Sequence, residues 1–192
     1  VANGTAGLFV SLLACDISED DEVITSPFTF VATANSIIMC QAKPVFVDID
    51  PTTFNLNPNL IEQKITKRTK AILTVDLYGQ PANYKAIKKI AHKYKLLLIS
   101  DSCQAAGALY EGKPILNWTD VSVFSFFISK NITSGEGGLV LTNNSSIAEK
   151  VNLFVNHGQK RGHKYKIISF GYNFRLTDIQ SAILLVQLKR LD

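Results

Sequence analysis

Residues 71–101 read AILTVDLYGQPANYKAIKKIAHKYKLLLISD: two β-rich apolar runs, at 71–75 and 96–100, on either side of a turn and a stretch with helical period. The runs have the length and near-continuous apolar character of strands covered on both faces. Between them Asn83 opens a segment that spaces Ile87, Ile90, Ala91 and Tyr94 at helical intervals, so these four are expected to face the core. The same alternation extends outward. Further strands are expected at 22–25, 45–48, 121–125 and 138–142. Asn57 followed by Pro58 reads as N-cap and first residue of a helix, and Thr177 with Gln180 forms a capping-box pattern ahead of Ile183, Leu184, Leu188 and Leu191. Strands alternating with helices predict an α/β layer architecture with a largely parallel sheet.

Composition narrows the class. The chain has 192 residues, 46% hydrophobic and 19% charged, with 20 Lys+Arg against 16 Asp+Glu and a net charge of +4. That is globular usage, with no disordered, collagenous or coiled-coil signature. Apolar runs fall short of the roughly 18 residues of a membrane span, and no secretory signal opens the chain. The basic residues are spread over helix faces, and the densest cluster, at 64–70, has no flanking aromatics, which argues against nucleic acid as a partner. Cys15, Cys40 and Cys103 have neither disulfide-framework nor zinc spacing, so no metal site is expected and a reducing, cytoplasmic setting fits. There is no initiator Met, and the last helix is still running at the final residue, so the chain reads as cut at both ends.

Several motifs lose their mechanism on inspection. Residues 107–113 (GALYEGK) match a phosphate-binding P-loop nominally, but Pro114 stands where a Mg²⁺-binding hydroxyl belongs. Residues 135–138 (GEGG) are not the G-x-G-x-x-G of a dinucleotide site. The glycosylation sequons at Asn117, Asn131 and Asn144 read as accidents in a chain without a signal peptide.

Four pieces carry chemistry. Asn3, Gly4, Thr5 and Ala6 precede an apolar helix, and a small-residue turn opening a helix presents N–H groups at the positive end of its dipole, a site for phosphate. Asp101 ends a buried strand, the position where open α/β sheets bind ligands, with Gln104 three residues on. Lys130 follows the apolar run 121–128 among aromatics, and partial desolvation favours the neutral amine that a Schiff base requires. Gly171 to Arg175 offers polar groups ahead of the last helix. A phosphate cradle, a strand-end Asp and a strand-end Lys are together the parts with which a protein holds pyridoxal 5′-phosphate (PLP).

At this point the sequence resembles a known family. NGTA at 3–6, FTFVATAN at 28–35, PVFVD at 44–48, LYGQP at 77–81, DSCQA at 101–105, SF at 125–126 with KN at 130–131 and GEGG at 135–138, NHG at 156–158 and GYNFR at 171–175 are similar to the DegT/DnrJ/EryC1/StrS family of PLP-dependent sugar aminotransferases. The resemblance implies the aspartate-aminotransferase-like fold: residues 1–192 as a three-layer α/β/α large domain with a mostly parallel mixed sheet, and a small C-terminal domain missing. It implies Lys130 as the Schiff-base lysine and proton shuttle, and Asp101 as the partner of the pyridine nitrogen. Gln104 matches the residue near the cofactor's 3′-oxygen, and Phe30 the aromatic stacked on the ring. Gly4, Thr5, Ala6 and Ser125 fall at the phosphate, and Asn173 matches a residue reaching the phosphate of the other subunit, so a homodimer with a shared site follows. His157 and Arg175 fall in family motifs without a firm role. The implied reaction moves an amino group, usually from L-glutamate, to a keto group of a nucleotide-linked deoxysugar. A truncated, non-catalytic remnant and a fold-type I PLP enzyme acting on amino acids are the alternatives.

Overall fold

The computed structural model describes residues 1–163 and 165–191. In chain order the elements are α1 (Gly4–Ala14), β1 (Glu22–Thr25), α2 (Ala32–Met39), β2 (Lys43–Phe46), β3 (Thr69–Val75), α3 (Tyr84–Tyr94), β4 (Leu97–Asp101), the short pair β5 (Leu109–Tyr110) and β6 (Lys113–Pro114), β7 (Val121–Ser125), β8 (Gly138–Thr142), α4 (Ser145–Val155) and α5 (Asp178–Leu188). The main sheet runs β2-β1-β3-β4-β7-β8. All its pairings are parallel except β7 with β8. No helix among the described residues is long and apolar enough to cross a membrane.

Successive strand residues alternate between two apolar layers, as the pleat requires. Val23, Ala71, Leu73, Ile99, Val121 and Val123 pack with Leu8, Phe9 and Leu12 of α1, Ile37 of α2 and Val151 of α4. On the opposite face Ile24, Ile72 and Leu98 pack with Tyr84, Ile87 and Ala91 of α3. The result is the expected three-layer sandwich. Its central strands read as continuous apolar runs because both faces are covered.

The departures from the sequence reading have local causes. β4 starts at Leu97 and includes Asp101, because the Leu96 N–H still closes α3 by donating to Ala91 O at 2.8 Å, past a left-handed Lys95 (φ 56°). The second strand lies at Lys43–Phe46, two residues earlier than expected, since its register pairs Lys43 with Glu22. It is an edge strand, where Pro44 removes no ladder bond that matters. Asn57–Pro58 opens only two 3₁₀ turns, Pro58–Leu60 and Glu62–Lys64. Ile61 is the one buried side chain of residues 57–68, so no apolar stripe exists to hold a longer helix. Tyr94 is half-exposed at 37%, its hydroxyl donating to Glu62 Oε2 at 3.1 Å. Tyr84, at the head of the same helix, is the fully buried tyrosine. The capping box of α5 is present in both halves, yet of its apolar residues only Leu184 is buried.

Glu22, 2% exposed at the start of β1, accepts hydrogen bonds from Thr66 Oγ1 at 2.6 Å and Arg68 Nη2 at 2.9 Å. The Thr66 bond first, and the Arg68 guanidinium after it, hold the carboxyl below its ordinary 4.5 against the opposing cost of burial. A depressed pKa stabilises the fold above the unfolded value and loses that contribution as pH falls through the folded one. Glu22→Gln should therefore cost roughly 1.5 kcal/mol at neutral pH, a few degrees in Tm. The gap to wild type should close in melts below about pH 4.5, and a gap independent of pH would refute this account.

Candidate active site

Residues 1–3 are strapped to β8: the Val1 amine donates to Gly138 O and Gly138 N–H to Val1 O, both at 2.9 Å. A Cβ on Gly138 would lie 2.7 Å from Asn3 C and O, so this close approach requires glycine. Asn3 caps α1, its Oδ1 accepting from Ala6 N–H at 2.8 Å. Gly4 brings the start of α1 against the ends of β4 and β7, where a Cβ would meet Cys103 Sγ at 2.8 Å and Ser125 Cβ at 2.9 Å. The N–H groups of Gly4 and Thr5 belong to the first turn, which a helix cannot pair from within. Backbone packing thus aims a helix N-terminus at the ends of the parallel strands.

Asp101, the last residue of β4, is 6% exposed. Its Oδ2 accepts from Thr33 Oγ1 at 2.7 Å and its Oδ1 from Cys103 N–H at 3.2 Å. An ionised carboxylate has about four lone-pair sites, so acceptor capacity remains. Gln104 Oε1 accepts from the Tyr78 N–H at 2.9 Å, which leaves its NH₂ as the free donor. Tyr78 adopts the left-handed region (φ 55°) to make that bond.

Ser125, 7% exposed, ends β7, and the chain then turns through residues 126–138. That turn is pinned by Phe126 N–H to Gly137 O (2.9 Å), Ser134 N–H to Phe126 O (3.0 Å) and Asn131 Nδ2 to Ala106 O (2.7 Å). Lys130 sits half-buried on it, its N–H donating to Phe127 O at 2.9 Å. The apolar flank expected around Lys130 is only partly there: Phe126 is buried, whereas Phe127 (42%) and Ile128 (69%) are exposed. Phe127, although exposed, joins Lys130 in the wall of the same cavity.

Gly4, Thr5, Phe30, Asp101, Gln104, Ser125 and Lys130 all wall one cavity of about 430 Å³. One expected member does not join them. Ala6 is buried and its N–H is spent on Asn3, so the capping side chain has taken the donor that the reading assigned to phosphate. Asn173, expected at the phosphate of the other subunit, is exposed and bridged to Asn156 outside this cavity, beside Arg175, whose Nη1 donates to Asn156 Oδ1 at 2.8 Å. The sequence reading missed Thr33, which orients Asp101, and Glu136 and Cys103, which join the wall. Burial, with Asp101 adding to it, pushes the Cys103 thiol well above its ordinary range, so it stays protonated beside Lys130. The GALYEGK segment forms the β5–β6 hairpin, followed by a single 3₁₀ turn at Ile115–Asn117 in place of an α-helix.

The chain is 47% identical over 189 residues to the UDP-2-acetamido-2-deoxy-3-oxo-D-glucuronate aminotransferase of Pseudomonas aeruginosa, covering 98% of this chain and 52% of that protein. It is 45% identical over 190 residues to a GDP-perosamine synthase of Caulobacter vibrioides, covering 99% and 51%. The chain thus spans about half the length of the curated relatives it matches. Among solved structures, NtdA from Bacillus subtilis with bound cofactor PMP superposes with a TM-score of 0.92 at 37% identity, over 99% of this chain and 43% of that one. The fold is that of the PLP-dependent aminotransferases. With the family's sequence profile matching residues 1–192 from end to end, the chain belongs to the DegT/DnrJ/EryC1/StrS aminotransferase family.

Proposed function

We propose that residues 1–192 form the cofactor-binding large domain of a PLP-dependent aminotransferase that moves an amino group from L-glutamate to a keto group of a nucleotide-linked deoxysugar. The observation that carries the reading is the convergence, in one cavity, of a lysine amine, a buried strand-end carboxylate and the N-terminus of α1. These residues fit the group: the glycine-only approach of α1 to Ser125 leaves a cradle of N–H donors and a hydroxyl for a phosphate, and Asp101 keeps acceptor capacity for a protonated ring nitrogen. When bound, PLP supplies an aldehyde for the amine and an electron-poor ring that takes up charge from the substrate carbon. Lys130 holds the aldehyde and moves the proton at that carbon. Asp101, kept in place by Thr33, holds the ring nitrogen protonated, because an adjacent carboxylate stabilises the charged form. The free NH₂ of Gln104 would be available to the ring oxygen, and Phe30, in the same wall, would supply an aromatic surface for the ring. Thr5 and Ser125 hold the phosphate with the Gly4 and Thr5 N–H groups.

The substrate class follows the 3-oxo nucleotide sugar in the name of the Pseudomonas aeruginosa relative. A homodimer is the proposed assembly, supported by the exposed position of Asn173 outside its own chain's cavity and by exposed Ile179, Leu185 and Val186 on α5. Three free cysteines suit a reducing cytoplasm. The test is a visible absorbance spectrum of the purified protein with added PLP, followed by L-glutamate. A band that forms and is then discharged by glutamate supports the reading, a band that persists favours a cofactor-binding remnant, and no band overturns the cofactor assignment.

A further inference from the structure

Asp76 lies just past β3, with no solvent exposure. Its Oδ1 accepts from Tyr84 Oη at 2.7 Å and Ala82 N–H at 2.9 Å, and its Oδ2 from Ser102 Oγ at 2.6 Å. Its own N–H donates to the Asp101 carbonyl at 3.0 Å. Two residues on, Tyr78 N–H donates to Gln104 Oε1. The Asp76 turn is therefore bonded to both Asp101 and Gln104 from behind, while Asp76 itself stays out of the cavity wall.

Ser102 does not end the network. Ser102 Oγ lies 3.0 Å from Ser100 Oγ, Ser100 Oγ 2.9 Å from Ser122 Oγ, and Ser122 Oγ 2.8 Å from Thr119 Oγ1. Ser100 and Ser122 are register partners on β4 and β7, and Thr119 is part-exposed ahead of β7. The file runs from the edge of solvent to a carboxyl that water does not reach. Each hydroxyl carries one hydrogen, so the file has two satisfied states. In the structure Ser102 donates to Asp76 or to Ser100, and Ser100 donates to Ser122, the outward sense; with Asp76 ionised, rotation of the hydroxyls would turn the hydrogens toward the carboxylate. With Asp76 protonated, its O–H donates to Ser102 and every hydrogen points back toward Thr119. Tyr84 and Ala82 donate to Oδ1 in both states, so the proton enters or leaves without orphaning a buried group.

We propose that Asp76 is a positioning residue for the cofactor-facing end of β4, and that the hydroxyl file Thr119–Ser122–Ser100–Ser102 carries its proton to and from solvent. This rests on the PLP reading above and adds a second carboxylate to it. Ionised Asp76 deepens the negative field at Asp101 and so favours a protonated ring nitrogen; neutral Asp76 removes that contribution. The ionisable groups facing Asp76 are Asp101 and Cys103 at the end of β4 and the Tyr84 phenol of α3, none of them cationic. Burial, with Asp101 as a smaller like-charge contribution, pushes the Asp76 carboxyl up to about 6, so both states fall within the range of an ordinary pH series.

Asp76→Asn mimics the protonated state, its amide oxygen accepting from Tyr84 and Ala82 and its NH₂ donating to Ser102. PLP titrations of purified wild type and Asp76→Asn should differ about tenfold in Kd at pH 8 and coincide at pH 5. A wild-type to variant ratio constant from pH 5 to 8 would reduce Asp76 to a structural role and overturn the proposal. The cofactor-free protein offers a second readout: the infrared band of a protonated carboxyl, absent from the variant, should titrate near pH 6. Ser102→Ala removes a donor that favours the carboxylate and should move that titration upward. An unmoved band, or none assignable to Asp76, also overturns the proposal. Failure of wild type to bind PLP at any pH, with the carboxyl titrating as stated, overturns the cofactor reading and with it the positioning role.

Discussion

Lys130→Ala should abolish the borohydride-stable attachment of PLP to the protein and lower amino transfer by more than about 10⁴-fold. The amine at 130 has two roles on the proposed reading, covalent attachment of the cofactor and movement of the proton at the substrate carbon, and alanine removes both. The turn that carries it should survive. Its anchors are the backbone of Phe126, Lys130, Ser134 and Gly137 and the Asn131 side chain, and the Lys130 side chain takes part in none of them. Melting should therefore shift by no more than about 0.5 kcal/mol, as for a surface substitution. Lys130→Arg keeps the positive charge without a reactive amine and should fail in the same way, which separates attachment from electrostatics. The readouts are mass spectrometry of the reduced protein and a single-turnover assay with L-glutamate. Undiminished trapping in the alanine variant would place the attachment elsewhere and sink the assignment of Lys130.

Asp101→Asn should lower the glutamate half-reaction by about 10²- to 10³-fold while leaving the protein folded. Asp101 is 6% exposed and held by Thr33 and Cys103, so its charge is set in a site that water screens poorly. Removing one partner of such a buried charge pair costs roughly 3–5 kcal/mol. Asparagine offers an oxygen to one of the two donors but turns an NH₂ toward the other, so local geometry also suffers a little. Stopped-flow absorbance after addition of L-glutamate measures the step. A rate within twofold of wild type would show that Asp101 does not face the ring nitrogen. Thr33→Val, which removes the hydroxyl at 2.7 Å from Oδ2, offers a milder version of the same test through orientation alone.

How much of this was legible in the chain varies by residue. Asp101 stood out because LLIS before it reads as a buried strand, and a carboxylate at the end of such a strand sits where open α/β sheets bind ligands. Asp76 occupies an equivalent place after AILTV, yet nothing local distinguishes the two. Their different surroundings come from Tyr84 eight positions on and Ser102 twenty-six positions on. Thr33 and Asp101 are 68 residues apart, and no spacing rule connects them. Ala6 has a local partner instead. In the first turn of α1 it reads as an open donor until the Asn3 side chain is seen to fill it. The helix starting at Asn83 was placed correctly, but Tyr94 turned outward while Tyr84 turned in. Period alone does not say where along a helix the core begins.

The sequence by itself determined the kind and order of the elements flanking the site, because strand and helix periods, caps and turn residues act over a few neighbours at a time. Three strands, Glu22–Thr25, Val121–Ser125 and Gly138–Thr142, lie where local pattern puts them. Tertiary structure decided the register of β2, the approach of the start of α1 to β8, and what holds each carboxylate. Each depends on a partner distant in sequence: Glu22 for Lys43, β8 for the start of α1, Thr33 for Asp101, and a file of serines from two strands for Asp76. Hydrogen-bond satisfaction and burial belong to the packed chain, and only there do two aspartates in matching sequence contexts acquire different environments.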